Sequence, residues 1–520
     1  MKPIYHKLAL AVCMLAGTSA YAQQEALDTA AFTRIRNAEL QDSHIPQIAH
    51  YLTDVSGPRL TSSPGFNRAG RWAVATMKQW GLVNAALEPW GEFGKQWDVQ
   101  DFSLSMKAPY PQQLRAYAGP WSAGTHGIVQ GQVTVISPAQ LMDTTYMAQH
   151  LDDFRGKFVL VTGGPENTKE NFSPSATRLA DTALANLKDS YMFPRSMMSM
   201  YTKFMKTMGI SNALLKKAGT LALINAGQEN VNGTVFVQGE GGYKVTDPES
   251  VPNVSLALED GQKVKRLVQS GHRVELALNI NSSSSTADTR GYNVVAEIPG
   301  TDPKLKSQLV MLGGHLDSWQ SATGATDNAA GCVVMMEAVR LLDSLHLKPK
   351  RTIRIALWSG EEQGLLGSYG YAKNHFMDAK TFVLKPEQAK VSAYFNLDNG
   401  TGKIRGIYSQ NNTAVEPIFK QWMAPFTDLG ATAVTHSNTG STDHLAFDWA
   451  GIPGFQFVQD PVDYETRTHH SNMDDYDHLQ MDDLKQAAII VASFVYQASI
   501  RPAMLPRKPL VKETFTFEGF

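Results

Sequence analysis

Cysteine is almost missing from this chain, which holds two in 520 residues, Cys13 and Cys332. Cys13 lies in the apolar run Leu8 to Ala20, which follows Lys2 and Lys7 and is closed by Ala20-Tyr21-Ala22. That is the layout of a cleaved secretory signal, so residues 1–22 are expected to be removed and the protein to be secreted or periplasmic. Cys332 would then have no partner, which excludes an intramolecular disulfide despite the oxidising destination. It sits in an apolar helical run, as a small buried hydrophobe would. Long hydrophobic runs are missing too. Leu8 to Ala20, and Ala487 to Ala498 with its interruptions at Ser493 and Gln497, fall short of the ~20 residues that span a bilayer. The second run reads as a core helix, and no stable membrane insertion is expected. Charge of one sign is also lacking: 47 Lys and Arg stand against 49 Asp and Glu, a formal charge of −2. Sequence-independent attraction to nucleic acid or anionic membrane is therefore disfavoured. Nor is there a Gly-x-Ser-x-Gly elbow, which argues against a serine hydrolase. Ser441, Asp443 and His444 are close in sequence, but a triad needs closeness in space. Ser441 and Asp443 are expected to shape a pocket wall.

What is present divides the chain into textures. Residues 23–112 begin with helical patterning, as in Ile45 to Leu52 and Ala69 to Met77, followed by the strand-like Ala85 to Trp90. From 113 to 285 short β-rich runs such as Val133 to Ile136, Lys157 to Val161, Thr220 to Ile224 and Val274 to Leu278 are separated by Gly, Pro and Asn. This stretch is expected to be an inserted β-rich domain. Within it, residues 166–216 have helical spacing and many Met and Lys, and are either an amphipathic excursion or a lid over a site. Ser282 to Asp288 reads as a linker. Over 286–505 strands alternate with helices, the strands starting at Asn293, Gln308, Arg354, Val391 and Gly454. Residues 506–520 form a tail. Alternation of this kind predicts an α/β fold, a mixed and largely parallel sheet covered by helices on both faces. Ligand sites in such folds lie beyond the carboxyl ends of the strands.

Chemistry-bearing residues collect at those ends: Gly-Gly-His315-Leu-Asp317, Thr-Asp327-Asn-Ala-Ala-Gly, Trp-Ser-Gly-Glu361-Glu362, Asn-Leu-Asp398-Asn-Gly and His469-His470-Ser-Asn-Met-Asp474. Taken singly, Asp327 could cap a helix and the glutamates could favour a helix N-terminus. Their convergence on one sheet edge points instead to a metal site. Imidazole and carboxylate ligands suit zinc, and manganese or cobalt would tolerate the same set. For five ligands to hold two ions one carboxylate must bridge. Asp327 is the candidate, with His315 and Asp398 on one ion and Glu362 and His470 on the other. Asp317 is placed to accept the free ring N–H of His315. Glu361 is left over as the general base, taking a proton as hydroxide attacks a carbonyl and delivering it to the leaving amine.

These segments resemble the M28 family of zinc exopeptidases, and within it the carboxypeptidase Q branch. The resemblance is carried by Gly-His315-Leu-Asp317-Ser-Trp, Gly-Ala-Thr-Asp327-Asn-Ala-Ala-Gly, Leu-Trp-Ser-Gly-Glu361-Glu362-Gln-Gly, Asp398, Ser-Thr-Asp443, Ala-Gly-Ile-Pro-Gly and His469-His470-Ser, in order between about 290 and 500. The N-terminal Pro58-Arg-Leu-Thr-Ser-Ser-Pro also fits, and the β-rich middle is similar to the protease-associated domain that several members insert. The resemblance implies two zinc ions, Asp327 bridging, Glu361 as base and His470 rather than His469 as ligand. It also places His469 where some relatives carry a tyrosine that hydrogen-bonds the tetrahedral intermediate, so a catalytic donor is the expectation there. The implied activity is hydrolysis of dipeptides or short peptides. The alternatives are an aminopeptidase acting on longer peptides, a glutaminyl-cyclase-like acyltransferase or a non-catalytic binding module. Arg405, Arg467 and the lysines of the insert are candidates for pairing a substrate carboxylate, and none of them is assigned, because most surface arginines are merely solvated. Terminus polarity, side-chain preference and the choice between monomer and homodimer are left open by the sequence.

Overall fold

The computed structural model describes residues 24–163, 173–192, 195–227, 232–239 and 241–512. The expected signal, residues 1–22, lies outside the described residues. Among those described, no helix is long and apolar enough to cross a membrane.

Two eight-stranded sheets organise the chain. The main sheet runs, in spatial order, Val83–Glu92, Arg290–Ile298, Thr352–Trp358, Leu309–His315, Val391–Asn396, Gly454–Gln459, Ile404–Tyr408 and Ala433–Thr435. Its central run from Thr352–Trp358 to Gly454–Gln459 is parallel, while the first two strands and the pairing of Ile404–Tyr408 with Gly454–Gln459 are antiparallel. The largely parallel α/β sheet expected from alternation is what forms. Side chains of Leu309–His315 alternate between two cores, as strand geometry demands. Val310 and Leu312 join the helices Thr29–Gln41, Ala330–Ser344 and Met481–Ile500, whereas Leu309 and Met311 join Leu366–His375 and His444–Trp449. The helix Ala330–Ser344 is buried from Ala330 to Leu342, so its sequence is largely apolar all round, and its two buried charges, Glu337 and Arg340, pair with each other. Cys332 lies on it, fully buried.

The second sheet runs Gln112–Gln113, Gln96–Ala108, Glu275–Ser285, Val129–Ile136, Phe158–Thr162, Ala222–Ala226, Asn253–Leu256 and Ala116–Ala118. The strand Gln96–Ala108 pairs along its whole length with Glu275–Ser285 and so belongs to the second sheet. Ser282 to Ser285 are strand rather than linker, because Gln96 to Val99 provide a partner edge that outweighs a serine-rich composition. The tail does not hang free either: Arg507 donates to the carbonyls of Gly451, Gln388 and Val391, and Lys508 to Asp448.

The excursion leaves the second unit after Phe158–Thr162 and returns through the helix Arg195–Ala218. Between them residues 173–192 lie along the main unit, joined by the bridges Thr177 to Val462 and Ser190 to Thr439.

Candidate metal centre

Each strand end delivers its side chain to one place. His315 is the last residue of Leu309–His315. Its Nδ1 lies 3.0 Å from the Asp317 carbonyl oxygen, an acceptor only, so Nδ1 carries the hydrogen and Nε2 keeps a free lone pair. That lone pair faces Asp327 Oδ1 at 3.2 Å and Asp398 Oδ1 at 3.1 Å. On the other side of Asp327, His470 Nε2 lies 3.2 Å from Asp327 Oδ2 and 3.0 Å from Glu362 Oε2. Asp327 thus has one oxygen in each half of the site. Glu361 comes within 3.9 Å of His315 Nε2. His469 reaches only Asp327 Oδ2, at 3.9 Å, while its Nδ1 faces Glu465 Oε2 at 4.0 Å. Both adjacent histidines stand with Asp327 in a group that could hold a metal, and His470 is the nearer of the two to that carboxylate.

Asp317 is placed differently from expectation. Its backbone carbonyl, and not its carboxylate, takes the closer contact with His315 Nδ1, the carboxylate oxygen standing at 3.7 Å. The carboxylate instead accepts the Glu361 and Glu362 amides, each at 3.3 Å, and the Thr61 hydroxyl at 2.9 Å. It holds the turn that presents base and ligand. The reason is local: the backbone after His315 folds back so that a main-chain acceptor meets the ring first.

Two holding groups went unassigned in the sequence. Asp474 receives the Thr326 amide at 2.5 Å and the Asp327 amide at 3.1 Å, fixing the bridging residue from behind. Arg59 is fully buried and donates to the carbonyls of Leu316 at 2.7 Å, Leu52 at 2.9 Å, Gly324 at 2.8 Å and Thr323. It ties the loop between His315 and Asp327 to the N-terminal segment. The only sequence signal for it was its place in Pro58-Arg-Leu-Thr-Ser-Ser-Pro. Close approach is secured by Gly331, where a Cβ would sit 2.2 Å from the Leu397 carbonyl oxygen.

The electrostatics describe a site short of positive charge. Burial raises Glu361 well above the ordinary glutamate range, the Asp398, Asp443 and Glu362 carboxylates adding to it against the pull of His315. Burial likewise pushes Glu362 up to about 7 and Asp443 up to about 8. His470 goes up to about 10, because Glu362 and Asp327 outweigh a burial penalty of opposite sign. Burial and the neighbouring His470 pull His469 down to about 3, leaving it neutral. Asp327 Oδ2, Glu362 Oε1 and His470 Nδ1 are buried with no hydrogen-bond partner. Imidazole lone pairs aimed at orphaned carboxylate oxygens, with too little cationic charge nearby, are what a divalent cation relieves. The donors fit a metal, and His315, Asp327, Glu362, Asp398 and His470 are the residues that would hold it.

Of the two arginines considered for a substrate carboxylate, Arg405 is committed elsewhere. It donates to the carbonyls of Gly430 and Leu179 and to Asp460, at 2.8 to 2.9 Å. Arg467 is exposed on the turn leading to His469.

Sheet order and strand-end ligands define a class, the zinc-exopeptidase fold. Solved structures of that fold align along nearly the whole chain: a peptidase M28 precursor from Shewanella amazonensis with TM-score 0.65 and 22% identity, covering 92% of this chain and 98% of that one, and BSAP, a zinc aminopeptidase from Bacillus subtilis, with TM-score 0.56 and 20% identity, covering 88% and 94%. Residues 293–495, about two fifths of the chain, match the model of peptidase family M28. It is similar to carboxypeptidase Q: 30% identical to the Pongo abelii protein over 257 residues, 49% of this chain and 52% of the relative. The match thus spans about half the length of that relative. With the Mus musculus protein the identity is 26% over 459 residues, 88% of this chain and 86% of the relative.

Proposed function

We propose that the protein is a secreted di-zinc exopeptidase that hydrolyses dipeptides or short peptides, with Glu361 as general base. The observation that carries the proposal is the split of Asp327, one oxygen facing His315 and Asp398 and the other facing His470 and Glu362, with Glu361 standing farther off, 3.9 Å from His315 Nε2. Three ligand carboxylates and Glu361 amount to four negative charges, which two divalent cations would balance. Bound there, the zinc pair supplies Lewis acidity toward the scissile carbonyl and lowers the pKa of water to near neutrality. Glu361 takes the proton of the attacking water on its carboxylate and passes it to the departing amine. Its raised proton affinity suits the first half of that exchange, since a carboxylate that holds a proton too weakly cannot take it from the attacking water. His469, neutral and with Nε2 toward Asp327, would donate toward the oxygen of the tetrahedral intermediate. The apolar run ahead of Ala22 supports secretion, with the mature chain starting at Gln23.

The test is a Glu361→Gln variant loaded with zinc. Turnover of free dipeptides is expected to fall by about 10²–10⁴-fold, the range of general base catalysis, while mass spectrometry still counts two zinc ions per chain. Retained turnover would remove Glu361 from the mechanism, and a single tightly held zinc would favour the acyltransferase reading. A panel of free dipeptides, N-acetylated dipeptides and aminoacyl amides, run with and without chelator, reads which terminus is required.

A further inference from the structure

Residues 173–192 form a strap from the second unit that ends beside the metal centre, and its fastenings are numerous. The Thr177 amide donates to Val462 O at 2.8 Å. Arg178 pairs with Asp460 at 2.9 Å and Asp483 at 2.7 Å, both carboxylates buried. Leu184, with Leu179 and Leu187, packs on Tyr408 and Val458 of the main sheet. Ser190 exchanges backbone bonds with Asn438 and Gly440 at 3.1 and 2.9 Å, and the Ser441 hydroxyl donates to Tyr191 O at 2.7 Å. At Gly440 a Cβ would stand 2.4 Å from that same Tyr191 oxygen, so the contact requires glycine. The strap is thereby fixed to both loops that flank the site, 436–441 on one side and 460–466 on the other.

Its penultimate residue, Tyr191, has φ +49, a conformation uncommon for a tyrosine. The phenol donates to Glu465 Oε1. The other oxygen of Glu465 faces His469, which in turn faces Asp327. Tyr191 is nevertheless 41% exposed, so its ring presents a surface to whatever enters. Burial, the Glu465 carboxylate and, at longer range, Asp398 keep the phenol protonated, which preserves it as a donor.

Building on the exopeptidase reading, we infer that Tyr191 is a specificity-determining residue: held by Glu465, it forms the end wall of the substrate cleft and restricts the site to short peptides. The physical reason is that an aromatic ring fastened at backbone and hydroxyl loses little entropy when a substrate packs on it, and cannot move aside for additional residues.

The experiment compares Tyr191→Ala and Tyr191→Phe with the unaltered protein, using a dipeptide and a tetrapeptide that share the scissile bond. kcat and KM are measured on each zinc-loaded enzyme, and Kd on the same variants in a Glu361→Gln background, where binding is read without turnover. Tyr191→Ala is expected to shift the tetrapeptide-to-dipeptide ratio of kcat/KM by about tenfold toward the longer substrate, mainly through KM, with Kd moving in parallel and zinc content constant. Tyr191→Phe keeps the ring, loses the hydrogen bond and should fall between. An unchanged ratio of both kcat/KM and Kd overturns the inference, as does an equal loss for both substrates, which marks a structural role. Absence of turnover in the unaltered enzyme overturns the peptidase reading. In that case the Kd ratio still decides on Tyr191, and failure of either peptide to bind overturns both.

Discussion

At the scale of single residues the site is a set of ligands and a set of groups that hold them, and the two sets differ in how they should fail. Asp474 touches no ligand side chain but fixes the Asp327 amide. Asp474→Ala is expected to weaken zinc binding by about 10–100-fold, the usual effect of losing such a support, as measured by competition with a fluorescent chelator. Glu361→Gln should leave that affinity intact. Arg59→Met should lower stability by about 3–5 kcal/mol, because several buried carbonyls and nearby carboxylates lose their cation together; urea denaturation of the zinc-loaded protein reads this. Cys332 donates its thiol to the His315 carbonyl at 3.0 Å, and burial pushes its pKa up to about 12. The folded enzyme should therefore resist iodoacetamide that modifies the unfolded chain at once. The proposed ligands were legible in sequence because His315, Glu362 and Asp398 close or follow apolar strands, where a charged side chain has no packing reason to be, and Asp327 stands just ahead of the helix Ala330–Ser344. Arg59 and Asp474 stand within motifs noted in the sequence, but their holding roles were not legible there. Their partners are backbone groups far away along the chain, and nothing in their local spacing marks a residue that serves main-chain atoms.

At the scale of elements, strands with continuous apolar runs, such as Leu309–His315 and Val391–Asn396, were readable because both faces are buried. Gln96–Ala108 was not, since its burial follows no clean alternation. Its identity as a strand is conferred by the long partner Glu275–Ser285. On the opposite flank of the main sheet, one contact between elements is open to a pH test. His375, in the last turn of Leu366–His375, bridges Glu88 at 2.6 Å on the edge strand Val83–Glu92 and Glu387 at 3.0 Å. Burial works against the charged ring, but the two glutamates win and move its pKa from 6.5 to about 9. A pKa raised in the folded state contributes stability in full below 6.5, a contribution lost as pH climbs through about 9. His375→Gln should therefore cost about 1–3 kcal/mol at pH 6 and much less at pH 9.5. Urea midpoints measured for both proteins across that range check the sign, and a difference that grew with pH would refute it.

At the scale of the whole molecule, the second unit grips the ligand loop. The Val237 amide donates to the His470 carbonyl at 2.8 Å, and Asn472 receives and returns hydrogen bonds from Val235. The loop that carries His470 and the inserted unit are thus one mechanical assembly, to which a metal at the proposed site would be tied. Chelation should lower the melting temperature by roughly 5–10 °C, given a ligand well above its dissociation constant, and calorimetry with and without chelator measures it.

The pairing of Val83–Glu92 with Arg290–Ile298, Leu87 opposite Val294, has a consequence for biosynthesis. On the ribosome the edge strand emerges first and must wait, unpaired, while the entire inserted unit is made. All five ligands follow that unit in the chain, His315 first and His470 last. The inserted unit can therefore fold before any ligand exists, and when the His470 loop finally leaves the exit tunnel, the surface that will seat it is already built. Vectorial synthesis makes the insert a template for the metal centre, and the waiting edge strand is the segment that most needs protection from mispairing in the meantime.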